Sequence, residues 1–324
     1  MPNSITTSLN SLNLNGIHQK IKGVGVALIT PFHFNGEIDF KALEKLLDYT
    51  RDNGVDYYVV LGTTGEPVTL SFEERIKVFQ FVAEYNQNRI PLVAGIGGNN
   101  TAEVIHNFLE FPINKYSAIL SVSPYYNKPS QEGIFQHYET IAKASPLPII
   151  LYNVPARTGS NIEADTTLRL ANQFQNIIGI KEASGNFDQI NKITSQKPDL
   201  FQVISGDDAI AVPMISIGAT GLISVLANSH PKDCSEMVRY SLMGDFKTAR
   251  KYHQKLSNWI PILFDESNPT GVKTVLKHLQ ICEDRVRLPL VRGSENLNKK
   301  VEHHLAAFPV EGISKDQINR PMRG

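Results

Sequence analysis

The sequence predicts an α/β fold, a closed (β/α)8 barrel followed by a small all-helical C-terminal domain. Eight short runs rich in β-branched residues recur along the chain, each bounded by glycine, proline or polar residues. The segments between these runs are long enough for one or two helices. Continuous apolar strands joined by helical crossovers are typical of a parallel sheet buried on both faces, and eight such units favour closure into a barrel. After Asn228 only helical patterns follow.

Each element follows from a local pattern. The predicted strands are Val24–Thr30, Tyr57–Leu61, Pro91–Ile96, Ala118–Val122, Pro148–Tyr152, Ile177–Ile180, Phe201–Ile204 and Gly221–Val225. Ser71 is predicted to cap a helix that has Glu73 and Glu74 in its first turn. The C-terminal helices are expected around Cys234–Leu242, Phe246–Leu263 and Gly271–Leu279. We therefore expect a flexible leader at 1–20, a barrel at 21–230, a helical domain at 231–308 and a flexible tail at 309–324, with the looseness beginning near Ala306.

A doubly wound open sheet is the structural alternative. That fold would place a glycine-rich nucleotide-binding turn after the first strand. Pro31 stands there instead, and it lacks the N–H group that a phosphate would need. The sequence therefore favours the TIM barrel.

Composition limits the classes of function. The 324 residues are 41% hydrophobic, and 32 basic residues balance 32 acidic ones, so no overall field points to nucleic acid or to an anionic membrane. Small neutral or zwitterionic ligands fit this balance. Cys234 and Cys282 suggest neither a disulfide framework nor a metal cluster, and a reducing cytoplasm is expected. No apolar stretch reaches the ~20 residues that span a bilayer.

Lys181 ends an apolar, strand-like run at 177–180. Desolvation disfavours a charged ammonium, so a lysine held in such a place offers neutral amine for attack on a carbonyl. This is the requirement for a Schiff-base lysine. The same segment also fits a lysine at a strand terminus that extends its ammonium to water.

Polar residues cluster where the predicted strands end, which is where barrels of this kind carry their chemistry. The segments are Gly62-Thr63-Thr64-Gly65-Glu66, Ser123-Pro124-Tyr125-Tyr126-Asn127, Tyr152-Asn153-Val154-Pro155-Ala156-Arg157, Lys181-Glu182 and Ser205-Gly206-Asp207-Asp208, with Ile223 on the eighth strand. Each also fits an ordinary turn, a packing tyrosine or a solvated charge. Gly95, Gly97 and Gly98 could cradle a phosphate, but Asp207 and Asp208 would repel one.

These segments resemble, in content and order, the motifs of the dihydrodipicolinate synthase family of class I, pyruvate-dependent aldolases. The resemblance covers residues ~23 to ~290 and rests on five co-linear motifs. They are Gly-Thr-Thr-Gly-Glu at 62–66, Pro-Tyr-Tyr-Asn at 124–127, Tyr-Asn-Val-Pro at 152–155, Gly-Ile-Lys-Glu-Ala at 179–183 and Ser-Gly-Asp-Asp at 205–208.

The resemblance implies a specific chemistry. Members condense pyruvate with L-aspartate 4-semialdehyde in lysine and diaminopimelate biosynthesis, without a metal or other cofactor. It implies that Lys181 forms the Schiff base with pyruvate, and that Tyr152, Thr64 and Tyr126 form a hydroxyl relay. The substrate-binding residues it implies are Thr63 and Arg157 for carboxylates and Gly206 and Ile223 in the pyruvate pocket.

Arg157 separates this family from its relatives. Sialic acid lyases and keto-deoxy sugar-acid aldolases resemble the chain in barrel and lysine, but generally lack that arginine. They are the alternative enzyme reading, and a non-catalytic pyruvate-binding regulatory barrel is a more distant one.

Assembly and regulation are also implied by the family. Its members are mostly homotetramers, as dimers of dimers, and a neighbouring subunit supplies the tyrosine that matches Tyr126. Sensitive members bind L-lysine at the subunit interface, and Asn99, Glu103 and Tyr125 match retained contacts. Phe72 and Arg75 replace histidines of sensitive bacterial members, so we expect weak or absent inhibition by lysine.

Overall fold

The computed structural model describes Gly16 and residues 20–310, and it contains the closed barrel that the sequence predicts. Eight parallel strands pair in chain order, and the last pairs with the first. They are β1 (Gly23–Ala27), β2 (Tyr57–Val60), β3 (Leu92–Gly95), β4 (Ala118–Val122), β5 (Ile149–Asn153), β6 (Ile177–Glu182), β7 (Gln202–Ser205) and β8 (Gly221–Ser224). β1 ends at Ala27, earlier than the predicted Thr30. Most of the expected leader and residues 311–324 of the expected tail lie outside the described residues.

Helices connect the strands and form the C-terminal segment. They are α1 (Phe40–Asp52), α2 (Phe72–Asn86), α3 (Thr101–Glu110), α4 (Gln131–Ala144), α5 (Pro155–Thr158), α6 (Ala164–Gln173), α7 (Phe187–Gln196), α8 (Ala211–Ser216), α9 (Pro231–Leu242), α10 (Phe246–Ser257), α11 (Ile260–Phe264), α12 (Thr270–His278) and α13 (Glu295–Ala307). Ser71 caps α2 in a reciprocal capping box with Glu74, as the sequence predicts. No helix within residues 20–310 has the length and apolarity to cross a membrane.

The structure corrects two C-terminal expectations. The single helix expected at 246–263 is two helices, because α10 ends at Ser257 and α11 begins at Ile260 with Pro261 in its first turn. The chain expected to be loose from Ala306 stays helical through Ala307. Burial of Leu297 and Val301 holds this last helix against its neighbours.

Two apolar cores lie on the two faces of the barrel sheet. The outer core lies between strands and helices, and the inner core fills the barrel. The inner core consists of Ile21, Ala27, Tyr57, Val59, Val93, Ala118, Leu120, Ile150, Tyr152, Val154, Ile178, Ile204 and Ile223. Side chains of a strand alternate between these two faces, so every second residue points into the barrel.

An irregularity in β6 sets the direction of Lys181. Ile149 pairs with Ile177, but Ile150 already pairs with Gly179, so Ile178 is an extra residue in β6. Ile177 and Ile180 therefore join the outer core, whereas Ile178 joins the inner core. Lys181 then follows Ile180 on the inner face, beside the inner-core residue Tyr152 with which it pairs.

Candidate active site

Lys181 lies inside the barrel mouth, one residue before the end of β6. Its side chain is 5% exposed, and its Nζ is 4.2 Å from the centroid of the Tyr152 ring. Tyr152 is itself buried, and the two residues are paired across β5 and β6. The structure thus joins the predicted nucleophile and the predicted acid/base residue through adjacent strands.

Gly206 and Ile223 complete the wall around Lys181. A Cβ placed on Gly206 would lie 3.0 Å from Lys181 Cε and 2.8 Å from Ala183 Cβ, so only glycine leaves the lysine stem its present path. Ile223 on β8 is buried in the inner core. Gly206 therefore leaves room for the Lys181 side chain, and its N–H donates to the Glu182 carbonyl oxygen at 2.8 Å.

The two threonines after β2 have different environments. Thr63–Gly65 form a single 3₁₀ turn, in which Thr64 is buried and Thr63 is exposed and lines a cavity. The Thr30 hydroxyl donates to the Gly65 carbonyl oxygen at 2.7 Å and fixes the turn to the segment that follows β1. Thr63 is thus free to meet a ligand, whereas Thr64 faces the protein interior.

Arg157 stands on the rim of the same cavity. It belongs to the short helix α5, and its guanidinium is exposed. The cavity is about 550 Å³ in volume, and Thr63, Tyr152 and Arg157 are among its lining residues. An exposed guanidinium at the mouth of a cavity can bind a carboxylate with two parallel hydrogen bonds.

The tyrosines after β4 lie at the edge of the site. Tyr126 is 88% exposed and has a φ of 72°, a left-handed conformation that is strained for a residue with a side chain. Tyr125 is half-buried and lines the cavity. The structure therefore brings Tyr152 to Lys181 but leaves Tyr126 directed away from its own chain.

The residues predicted for an effector line the far part of this cavity. Asn99, Glu103, Tyr125 and Arg75 are all among its lining residues. Asn99 also holds the loop after β4, because its Nδ2 donates to the Tyr125 carbonyl oxygen at 3.0 Å. Arg75 lies over the Phe72 and Phe111 rings, at 5.7 and 5.2 Å from their centroids, and makes no ion pair with Glu103 or any other described residue.

The sequence reasoning missed the network that supports Lys181 from outside the barrel. Glu182 is fully buried and accepts hydrogen bonds from Asn153 Nδ2 at 3.0 Å, Gln189 Nε2 at 2.9 Å and the Ser184 N–H at 2.6 Å. Asn153 and Glu182 are strand partners next to Tyr152 and Lys181. Because neighbouring strand residues point to opposite faces, this network fixes the two inward side chains from behind. The sequence signal for this network was that Asn153 and Glu182 directly follow Tyr152 and Lys181 in the chain.

Asp208 supports the turn after β8, a role that the sequence did not indicate. It is buried and accepts from the Val225 N–H at 3.1 Å and from the Ser224 hydroxyl. Burial raises the pKa of Asp208, and these hydrogen bonds oppose that rise. Asp208 thus caps the turn after β8 and does not line the cavity. Within residues 20–310, no group of His, Cys, Asp and Glu residues could hold a metal ion.

A model of the dihydrodipicolinate synthetase family matches residues 20–308. The chain belongs to this family. A curated relative from Azobacteroides pseudotrichonymphae, 4-hydroxy-tetrahydrodipicolinate synthase, is 50% identical over 288 residues, which are 89% of this chain and 97% of the relative. The family assignment predicted from the five motifs is therefore confirmed.

Solved structures of this family agree with the fold. The pyruvate complex of the dihydrodipicolinate synthase from Acinetobacter baumannii is 40% identical, with a TM-score of 0.86 over 91% of this chain and all of that one. The lysine-bound enzyme of Cyanidioschyzon merolae is 34% identical, with a TM-score of 0.85 over 88% of this chain and 97% of that one. The predicted barrel with a helical C-terminal segment is the architecture of the family.

Proposed function

We infer that this chain is a 4-hydroxy-tetrahydrodipicolinate synthase, a lyase of lysine and diaminopimelate biosynthesis. It condenses pyruvate with L-aspartate 4-semialdehyde. The single observation that carries the mechanism is the buried Lys181 against the Tyr152 ring at the barrel mouth. A lysine amine attacks a ketone carbonyl to form a Schiff base, and here the amine lies beside a tyrosine at the barrel mouth.

The proposed covalent sequence begins on Lys181. Its Nζ forms a bond to the carbonyl carbon of pyruvate, and the carbonyl oxygen leaves as water to give an iminium. The iminium withdraws electrons, so the pyruvate methyl group loses a proton and becomes an enamine nucleophile. This carbon attacks the aldehyde carbon of the second substrate. The amino group of that substrate then displaces Lys181 from the imine carbon, which closes the product ring and frees the lysine.

Tyr152 is the proposed proton carrier for these steps. It lies beside the nucleophile, and acid/base groups in such positions contribute roughly 10²–10⁴-fold to rate. Thr64 and Tyr126 would extend the relay from Tyr152 toward solvent. Thr63 and the N–H groups of its turn would hold the pyruvate carboxylate, and Arg157 would hold the carboxylate of the semialdehyde.

We propose that the active unit is at least a dimer and that the full assembly is a homotetramer. The exposed, left-handed Tyr126 supports this proposal, because strain at an exposed aromatic residue is tolerated where the conformation is used. In the proposed dimer, Tyr126 enters the site of the neighbouring subunit. A cytoplasmic location and small-molecule substrates complete the proposal.

We further propose that L-lysine inhibits this enzyme weakly or not at all. Arg75 brings a permanent charge to the part of the cavity where lysine would place its ε-ammonium. At about 6 Å and an effective dielectric constant of about 20, that repulsion is on the order of 2–3 kcal/mol before screening. Glu73, two residues earlier on the same helix, attracts Arg75 electrostatically but does not form an ion pair with it.

The test of function is a coupled assay with pyruvate and L-aspartate 4-semialdehyde, run beside cleavage of N-acetylneuraminate and of 2-keto-3-deoxygluconate. We expect turnover with the semialdehyde and none with the sugar acids. Turnover of a sugar acid alone would support the alternative aldolase, for which Arg157 would have no carboxylate of an amino-acid semialdehyde to bind. Pyruvate binding without any turnover would instead support a regulatory barrel.

A further inference from the structure

Asn268 in the C-terminal segment contacts the hydroxyl group of Thr64. Its Nδ2 donates to Thr64 Oγ1 at 3.0 Å, although the two residues are 204 positions apart in the chain. Asn268 is 6% exposed and Thr64 is 2% exposed, so water does not compete for this hydrogen bond. The sequence motifs identified Thr64 but gave no reason to single out Asn268.

The donation from Asn268 determines where the Thr64 proton can go. A threonine hydroxyl has one proton to donate and two acceptor positions. Because Asn268 Nδ2 occupies one acceptor position, the Thr64 proton has to be directed to another acceptor. A hydroxyl that accepts a hydrogen bond is also polarised into a better donor. Asn268 therefore restricts the direction in which the Thr64 hydroxyl can donate its proton.

A second contact fixes the turn that carries Thr64 to the same part of the chain. Lys273 Nζ on α12 lies 2.5 Å from Glu66 Oε1, and both side chains are fully buried or nearly so. The Arg287 N–H donates to Glu66 Oε2 at 3.1 Å. Glu66 directly follows the turn and has a φ of 54°. Thr64 and Asn268 are thus held at a fixed separation by a buried ion pair beside them.

We propose that Asn268 is a positioning residue for the condensation reaction, which acts through Thr64 by directing its proton into the hydroxyl relay. This inference rests on the role of Thr64 in the proposed function. It gives the C-terminal helical segment a part in proton transfer, because the segment supplies the donor to the Thr64 hydroxyl. Asn268 itself is not among the residues that line the cavity.

The test is a double-mutant cycle of Asn268→Ala and Thr64→Val, with Asn268→Asp as an isosteric variant that accepts but does not donate when ionised. Asn296→Ala, at an exposed position on α13, is the matched control in the C-terminal segment. We expect Asn268→Ala to lower kcat about 10-fold with little change in the KM for pyruvate, since it removes one hydrogen bond that matters for proton transfer. Asn268→Asp should lower kcat at least as much, although it keeps the shape of the side chain. In the Thr64→Val background neither change should lower kcat further.

Melting temperatures are measured for every variant, so a fold defect is separated from a relay defect. Equal losses from Asn268→Ala in the wild-type and Thr64→Val backgrounds would overturn the inference, as would unchanged kcat in Asn268→Asp. Both of those results leave the proposed function intact. Full activity of Thr64→Val itself would overturn the proposed relay, and this inference with it.

Discussion

The two halves of the candidate site are built in different ways. The inner half consists of Tyr152 on β5, Lys181 on β6 and Gly206 directly after β7, and Tyr152 and Lys181 are 6% and 5% exposed. The outer half (Asn99, Tyr125 and Tyr126) lies on the loops after β3 and β4, and Tyr126 is 88% exposed. The inner half is complete within one chain, whereas the outer half exposes Tyr126 to a neighbouring molecule that packs on that face. We thus assign covalent chemistry to the inner half and assembly to the outer half, and Tyr152, Asn99 and Tyr125 line the same cavity.

The largest expected effect is the recovery of activity when subunits defective in the inner half are mixed with subunits defective in the outer half. Lys181→Ala and Tyr126→Phe subunits should each have very low activity, and mixing them at equal amounts should restore about one quarter of the wild-type activity. The reason is that half of the random dimers are mixed, and each mixed dimer has one site with both an intact Lys181 and an intact Tyr126. Steady-state assays after confirmed subunit exchange provide the measurement. No recovery would place Tyr126 in its own subunit's site.

A smaller effect is expected at Arg157, which borders both halves. Arg157→Ala should reduce kcat/KM for the semialdehyde by about 30- to 1000-fold, because a charge-assisted contact of roughly 2–4 kcal/mol is lost. Formation of the pyruvate imine, followed by borohydride trapping, should change much less. Arg169→Ala, an exposed arginine paired with Glu132 on the outer surface, is the control. Equal losses in trapping and condensation would make Arg157 a structural residue.

The contact between helices α3 and α4 is expected to stabilise the fold less in acid. His137 on α4 is buried and is hydrogen-bonded to Thr101 at the start of α3, and desolvation lowers the pKa of His137 from 6.5 to about 4. His137 therefore binds a proton more readily in the unfolded chain than in the folded protein. Burial of neutral His137 contributes fully to the free energy of unfolding above pH 6.5, and this contribution is lost as the pH falls toward 4. The loss attributable to His137 at pH 5 is about 2 kcal/mol.

Urea unfolding at pH 8 and pH 5 measures this loss. His137→Gln should reduce the difference between the two pH values, whereas His303→Gln, at an exposed position on α13, should leave it unchanged. An identical pH dependence in wild type and His137→Gln would contradict the assignment.

The smallest expected effect concerns Arg75. Wild-type enzyme should not reach half-inhibition below about 0.1 mM L-lysine, and Arg75→His, assayed at pH 8, should lower the half-inhibitory concentration at least ~10-fold as like-charge repulsion is removed. Lys77→His, on the same helix at an exposed position, is the control. Tight inhibition of the wild type would show that Arg75 does not repel the effector.

The sequence predicted the inner half far better than its supports. Strand periodicity and the five motifs predicted that Lys181, Tyr152 and Gly206 lie together, because residues at strand ends meet at one end of a barrel, and the structure places them side by side. The same periodicity carried no information on the extra residue Ile178 in β6, since an irregular register has no composition signal of its own. Asn268 and Lys273 were also missed, because they reach Thr64 and Glu66 across about 200 residues of chain. The break before α11 was visible only as Pro261 inside an otherwise helical pattern.

The most direct test of the central claim is reductive trapping of the imine. Borohydride added in the presence of pyruvate should attach one reduced pyruvyl group, and peptide mapping by mass spectrometry should find it on Lys181, with no label in Lys181→Ala or without pyruvate. A label on another lysine such as the exposed Lys128, or undiminished labelling of Lys181→Ala, would contradict the assignment of Lys181 as the nucleophile.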